Sequence, residues 1–103
     1  LVVHLRDRGL VVLTGCAHAG VINTTGYARE LAGTDRVHAV LGGFHLTGPA
    51  YEAAVGPTLA GMQGIDPRFV VPMHCTGWGP IGRFAREMSD RFVLNTVGTT
   101  YAF

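Results

Sequence analysis

The chain has 103 residues, of which 48% are hydrophobic and only 15% charged, and its net charge is +1 when the histidines are neutral. This length holds at most one domain, and the lack of a basic run gives nucleic-acid binding little support. No apolar stretch reaches the roughly 18 residues that mark a membrane span. The two cysteines are too few for a disulfide framework, so we expect reduced thiols and a cytoplasmic location.

Short apolar runs and helix-like spacings alternate along the chain. Turn residues at Asp7 and Gly9 separate the first two runs, Gly33 ends the first helical pattern, and Gly56-Pro57 interrupts the second. The predicted order is ββαβαβαββ, with elements over residues 1–6, 10–14, 21–31, 37–41, 57–62, 68–71, 80–88, 92–94 and 99–103. Such alternation indicates an α/β layer arrangement.

Three histidines follow three of the apolar runs: His18, His45 and His74. Ligand sites of α/β sheets collect at the carboxyl ends of strands, so these histidines are expected to share one edge. Neutral imidazole is a common metal ligand, and glycines beside each histidine let the loops bend. Each one alone is better explained as a capping or hydrogen-bonding loop residue, but the three together favour a metal site. His4 and His38 lie inside strands and are expected to be ordinary core or surface residues.

Cysteines flank two of these histidines. Cys16 and Cys75 are candidates for soft metal ligands, for groups that orient the ligands, or for a nucleophile paired with histidine. They are also compatible with small buried thiols. Thr76 and Asn23 are candidate contacts to substrate or to the ligands, although Asn23 also suits a helix cap. The loops contain neither the glycine spacing of a nucleophile elbow nor a P-loop ending, and no acidic residue.

Four segments, LTGCAHAGVINT, AVLGGFHL, VVPMHCTGW and VGTTYAF, resemble the C-terminal half of a metallo-β-lactamase-fold protein. Within that superfamily they are most similar to the dihydropterin ribofuranosylaminobenzene phosphate synthase-like group of metal-dependent hydrolases. The resemblance implies that residues 1–103 form half of an αββα sandwich. In that fold, a one- or two-metal site lies between two similar halves.

The resemblance also implies roles for individual residues. His18 matches the third metal motif of the superfamily and His74 the last one. His45 stands where most members have a bridging Asp, so the resemblance makes it either a metal ligand or a substrate contact. The His-x-His-x-Asp-His motif of the N-terminal half is absent. A chain that begins at Leu1 is therefore expected to be truncated, or to need a separate N-terminal half or a second copy.

The function expected from the resemblance is metal-dependent hydrolysis of a small-molecule substrate, phosphate-bearing or ester-like, by a metal-activated water. The expected cofactor is a divalent metal, zinc first, with iron, manganese and nickel as alternatives. Activity is expected only together with the missing half. Two other functions stay open: a Cys/His thiol enzyme, and a non-catalytic half-domain that works as an assembly piece.

Overall fold

Four strands and three helices make up the fold in the computed structural model, which describes residues 1–103 throughout. The strands are β1 (Val2–Leu5), β2 (Gly9–Thr14), β3 (Val37–Gly43) and β4 (Phe69–Met73). The helices are α1 (Val21–Ala32), α2 (Glu52–Ile65) and α3 (Trp78–Glu87), with a short 3₁₀ turn at Pro49–Tyr51 before α2. None of these helices combines the length and hydropathy that crossing a bilayer requires.

The strands lie in one mixed sheet in the order β1-β2-β3-β4. β1 and β2 form an antiparallel hairpin, whereas β2, β3 and β4 run parallel and are joined by α1 and α2. Because parallel neighbours need a crossover connection, the alternation of strands and helices in the sequence leads directly to this topology. The predicted α/β class is confirmed.

Side chains alternate between the two faces of the sheet, as strand geometry requires. Val40 and Val70 point to the helical face and pack with Phe84 in the largest buried cluster. Leu41 and Val71, one residue further along, belong to a smaller cluster on the opposite face. Most of the core therefore lies between the sheet and the helices, and only a small apolar cluster lies on the opposite face.

Helix α1 matches its prediction, and its C-terminal residue is followed by Gly33 in the left-handed conformation at φ 62°. Helix α2 differs, because it begins at Glu52 rather than at Pro57, and Pro57 lies inside it. Burial of Val55 before the proline, in register with Leu59, favours the longer helix over the local break signal. Strand β3 also continues beyond its predicted end at residue 41, through the glycine pair to Gly43.

The two closing strands predicted over 92–94 and 99–103 are not formed. Phe92 makes only an isolated parallel bridge to Val70, and no strand includes residues 99–103. Tyr101 instead packs against the smaller cluster on the second face of the sheet, and its hydroxyl donates to Asn95 Oδ1 at 2.9 Å. Val93 and Tyr101 are half-buried against this face of the sheet, whereas Leu94 and Val97 are exposed, so the segment packs across the sheet without forming a strand at its edge.

Candidate metal centre

The loops that follow β2, β3 and β4 lie side by side at the carboxyl edge of the sheet. They carry all of the side chains predicted for metal binding, because these three strands are parallel neighbours. Those side chains are Cys16, His18, His45, His74 and Cys75. The sheet topology thus brings these side chains together at one edge, as predicted.

Gly43 lets the loops approach one another closely. Its backbone N–H donates to the Gly15 carbonyl at 2.8 Å. A Cβ at residue 43 would lie 2.5 Å from that carbonyl oxygen and 2.7 Å from Cys75 Sγ. Both distances are too short for real carbon contacts, so only glycine fits where the first and third loops meet at the end of β3.

Three non-glycine residues of these loops have positive φ: Ala17 at 52°, His45 at 52° and His74 at 55°. The left-handed conformation costs such residues roughly 1–2 kcal/mol each, so the surrounding contacts must hold it. Thr76 supplies some of them. Its buried hydroxyl accepts the Phe44 N–H at 3.0 Å and donates to the Met73 carbonyl at 2.9 Å, which ties the last two loops together.

His74 lies with the two cysteines. Its Nε2 is 3.2 Å from Cys16 Sγ, and the thiol of Cys75 donates to the Cys16 carbonyl at 3.6 Å. The two sulfur atoms and a ring nitrogen of His74 lie within 4.8 Å of one another. Hydrogen bonding with the Cys75 thiol, followed by burial and by the charge of Cys75, raises the pKa of Cys16 above its ordinary value.

His18 and His45 form a second group. Their ring centroids are 4.4 Å apart in an edge-to-face arrangement, and His45 Nε2 lies 3.0 Å from the hydroxyl of Tyr51. The other ring nitrogen of His45, Nδ1, is buried and has no hydrogen-bond partner. A buried imidazole nitrogen without a hydrogen-bond partner, next to a second imidazole, fits a site that binds a metal ion. It also fits a site where a ligand donates a hydrogen bond to this nitrogen.

The structure therefore brings the three histidines to one edge but distributes them over two groups. His18 and His45 are outside the group of ligand atoms formed by His74 and the cysteines. Tyr51, which orients His45, was not identified from the sequence. No local motif points to it, because only the 3₁₀ turn brings it back to the histidine.

The remaining candidates have identifiable contacts. Asn23 Nδ2, in the first turn of α1, donates to the Ala19 carbonyl at 2.7 Å, so this side chain holds the preceding loop; no side chain caps the helix N-terminus. His4 is exposed on β1. His38 packs edge-on between Phe69 and Phe103, with ring centroids 5.4 and 5.5 Å away. Both histidines lie away from the carboxyl edge of the sheet, as expected for ordinary residues.

A cavity of about 500 Å³ opens beside the second group. Tyr51 lines it, and Glu52, Arg83 and Arg86 contribute its charged wall. Arg83 is held by Glu87 at 2.9 Å, whereas Arg86 has no ion-pair partner. Arg86 is therefore the cation of this wall that is left to meet an anionic group of a ligand.

The donor set fits a divalent transition metal. Thiolates and imidazoles are the ligands that zinc prefers, and the group of Cys16, His74 and Cys75 contains no carboxylate that would favour magnesium or calcium. His18 and His74 are the residues that would hold the metal in the predicted arrangement, and their roles remain predictions.

No protein-family model matches the chain. The fold is similar to the crystal structure of Tm1679, a metal-dependent hydrolase of the β-lactamase superfamily. The TM-score is 0.83 at 31% identity, over 99% of this chain and 39% of that one.

Two proteins of Methanocaldococcus jannaschii also match. The 7,8-dihydropterin-6-methyl-4-(β-D-ribofuranosyl)-aminobenzene-5′-phosphate synthase is 29% identical over 86 residues, which cover 84% of this chain and 29% of the synthase. The uncharacterised protein MJ0448 is 32% identical over 88 residues, covering 85% of this chain and 32% of MJ0448.

The chain thus spans about a third of the length of the curated relatives that it matches. Its mixed four-stranded sheet with three helices corresponds to half of a metallo-β-lactamase-like fold. The predicted resemblance to the metallo-β-lactamase superfamily, with similarity to a dihydropterin ribofuranosylaminobenzene phosphate synthase, is confirmed.

Proposed function

We propose that this chain forms part of the metal centre of a hydrolase, with zinc as the first candidate among divalent metals. The observation that carries the proposal is the convergence of His18, His45 and His74 on one sheet edge. There, His18 and His45 are in ring contact and His45 Nδ1 has no partner. A divalent metal at such a site supplies Lewis-acid chemistry, which acidifies a water ligand and stabilises negative charge on the attacked group.

The residues of the chain have separate tasks in this proposal. His18 and His74 hold the metal. His45, whose Nε2 shares a hydrogen with the Tyr51 hydroxyl, is either a further ligand or a contact to the substrate. Arg83 and Arg86 attract the anionic part of a small phosphate-bearing or ester-like substrate into the adjoining cavity.

In this proposal, the remaining metal ligands are supplied by residues outside this chain. Catalytic zinc is held by three protein ligands and an open position, and two-metal sites need more ligands than three histidines provide. The matched relatives are about three times as long as this chain. A separate N-terminal half with the His-x-His-x-Asp-His motif, or a second copy of this chain, would complete the centre.

The test is the metal content of the purified chain, measured by elemental mass spectrometry after loosely bound ions have been removed. The expected result is about one or more tightly bound metal ions per chain, consistent with a catalytic zinc site. His18→Ala and His74→Ala should lower this content. The matched control is His4→Ala, which removes an exposed imidazole away from the loops and should leave the content unchanged.

Equal metal loss in all three variants would show unspecific binding and contradict the proposal. A chain that retains no metal, with or without the separate N-terminal half, would also contradict it. That result would favour the non-catalytic half-domain, which should self-associate through exposed apolar surface. Adding the N-terminal half and measuring hydrolysis of a phosphate ester then tests activity separately from binding.

One observation favours a second function, that of a thiol enzyme. Cys16 Sγ lies 3.2 Å from His74 Nε2, which is within reach for an imidazole that activates a thiol. The raised pKa of Cys16 opposes this function, because it lowers the thiolate fraction at neutral pH. A thiol enzyme should lose activity on alkylation while keeping its metal content, and a metal hydrolase without sulfur ligands should keep both.

A further inference from the structure

We infer that Cys16 and Cys75, together with His74, form a thiolate–imidazole site for a soft divalent metal ion of the zinc or cadmium class. The inference rests on the proposed function, since it assigns sulfur ligands to the same metal centre. It goes beyond that function because the proposed function assigns metal binding to histidines alone.

The spacing of the three ligand atoms suits one ion. Around a tetrahedral zinc, with bonds of about 2.3 Å to sulfur and about 2.0 Å to nitrogen, ligand atoms stand roughly 3.5 Å apart. Cys16 Sγ and His74 Nε2 are already 3.2 Å apart, and all three ligand atoms fall within 4.8 Å of one another. Small side-chain rotations are therefore enough to close the three atoms on a metal.

The backbone is arranged around the sulfur atoms. Cys75 Sγ lies in space that only glycine at residue 43 leaves free, since a Cβ there would be 2.7 Å from the sulfur. The Gly43 N–H holds the Gly15 carbonyl at 2.8 Å, which fixes the loop that carries Cys16. His74 has a φ of 55°, in the left-handed region that is uncommon for residues other than glycine, so its loop follows a specific path beside the two cysteines.

The ordinary role of buried cysteine does not account for these two residues. A structural thiol packs among apolar side chains. Cys16 and Cys75 are each only half-buried, and neither belongs to any of the hydrophobic clusters. Their sulfur atoms contact the ring nitrogen of His74 and the Cys16 carbonyl instead. Polar surroundings of this kind suit a ligand better than a packing group.

The chemistry of the donors determines the class of metal. Two thiolates and one imidazole favour soft and borderline ions, and the lack of a carboxylate in the group disfavours magnesium, calcium and manganese. Each thiol loses its proton to solvent as its sulfur–metal bond forms, so binding of one ion should release about two protons near neutral pH. The metal stays divalent, and no oxidant or reductant takes part.

The test uses cobalt(II) as a spectroscopic substitute for zinc, added to the full chain kept reduced with a phosphine. A thiolate-to-cobalt charge-transfer band in the near ultraviolet is expected, and its intensity is divided by the amount of bound cobalt. Cys16→Ser and Cys75→Ser should each lower this ratio by about half, since each removes one of two thiolate ligands. His4→Ala is the matched control, because it removes an exposed imidazole away from the loops, and it should leave both the ratio and the total cobalt bound unchanged.

The outcomes separate this inference from the proposed function. Cobalt that is retained without the band shows that the thiols are not ligands; it overturns the inference and leaves a histidine metal centre standing. A chain that retains no cobalt, both alone and together with the separate N-terminal half, overturns both. A second measurement needs no variant: bound zinc should protect Cys16 and Cys75 from alkylation by iodoacetamide. Unchanged alkylation rates at full zinc occupancy would also overturn the inference.

Discussion

At Gly43, neighbouring loops occupy the space that a side chain would need. We predict that Gly43→Ala lowers the free energy of unfolding by about 1–3 kcal/mol, because the added methyl group overlaps the Gly15 carbonyl and Cys75 Sγ. The same displacement moves the cysteine away from His74, so the content of bound metal should fall as well. Urea denaturation and metal analysis of the same samples measure both effects.

Gly64→Ala is the control for this prediction. Gly64 lies in α2, and a Cβ there would have no atom within 4 Å. The change should raise stability by about 0.5–1 kcal/mol, since alanine loses less backbone freedom in a helix than glycine. If Gly43→Ala matched this control in stability and metal content, the close approach of the loops would not matter for the centre.

The sequence predicts the edge that carries the histidines but not their grouping. Residues that follow parallel strands meet at one edge whatever their loops do, so strand order alone brings His18, His45 and His74 together. Their partners depend on loop conformation. The positive φ of Ala17 is not signalled by residue type, because alanine is not a usual left-handed residue. The contacts to cysteine and to tyrosine were therefore beyond sequence reasoning.

Among the elements, helix α1 is the one whose limits the sequence predicts best. Its pattern of apolar residues and the glycine that follows both act locally, and Gly33 adopts the left-handed conformation that ends many helices. Helix α2 and the closing segment were predicted less well because tertiary packing decides them. Burial of Val55 extends α2 ahead of Pro57, and Tyr101 packs half-buried across the sheet without forming a strand.

Alanine should have opposite effects on the free energy of unfolding at the C-terminal end of α1 and in its middle. Gly33→Ala should lower the free energy of unfolding by roughly 1–2 kcal/mol, because alanine at φ 62° meets its own backbone. Gly26→Ala, in the middle of the same helix, should raise it by about 1 kcal/mol. A Cβ would have no atom within 4 Å at either position, so the difference isolates backbone conformation. Thermal unfolding of the two variants measures it, and equal shifts would contradict the left-handed end.

On the scale of the whole molecule, the metal-binding edge and the opposite end of the sheet are chemically distinct. Strand β3 connects them: His38 lies near its start and Gly43 at its end, which is about 17 Å at 3.3 Å per residue. The His38 end is surrounded by arginines, and the other end carries thiols and imidazoles. Stability changes that originate at His38 can therefore be measured without disturbing the candidate metal centre.

His38 should make stability fall at mildly acidic pH. Burial, followed by the positive charges of Arg8, Arg36 and Arg68, lowers the pKa of His38 below its ordinary value of 6.5. Between that lowered pKa and 6.5 the unfolded chain binds more protons than the folded chain, so the free energy of unfolding decreases as pH falls through this window. The penalty is absent above the window, where His38 is neutral in both states.

His38→Gln, measured by urea denaturation of the metal-free chain at several pH values, should flatten this decline. Glutamine keeps a polar side chain but takes up no proton in the window. His4→Gln should leave the decline as it is, because His4 is exposed on the edge strand. If His38→Gln and the unchanged chain lost stability in parallel over this pH range, His38 would not be the source of the acid sensitivity.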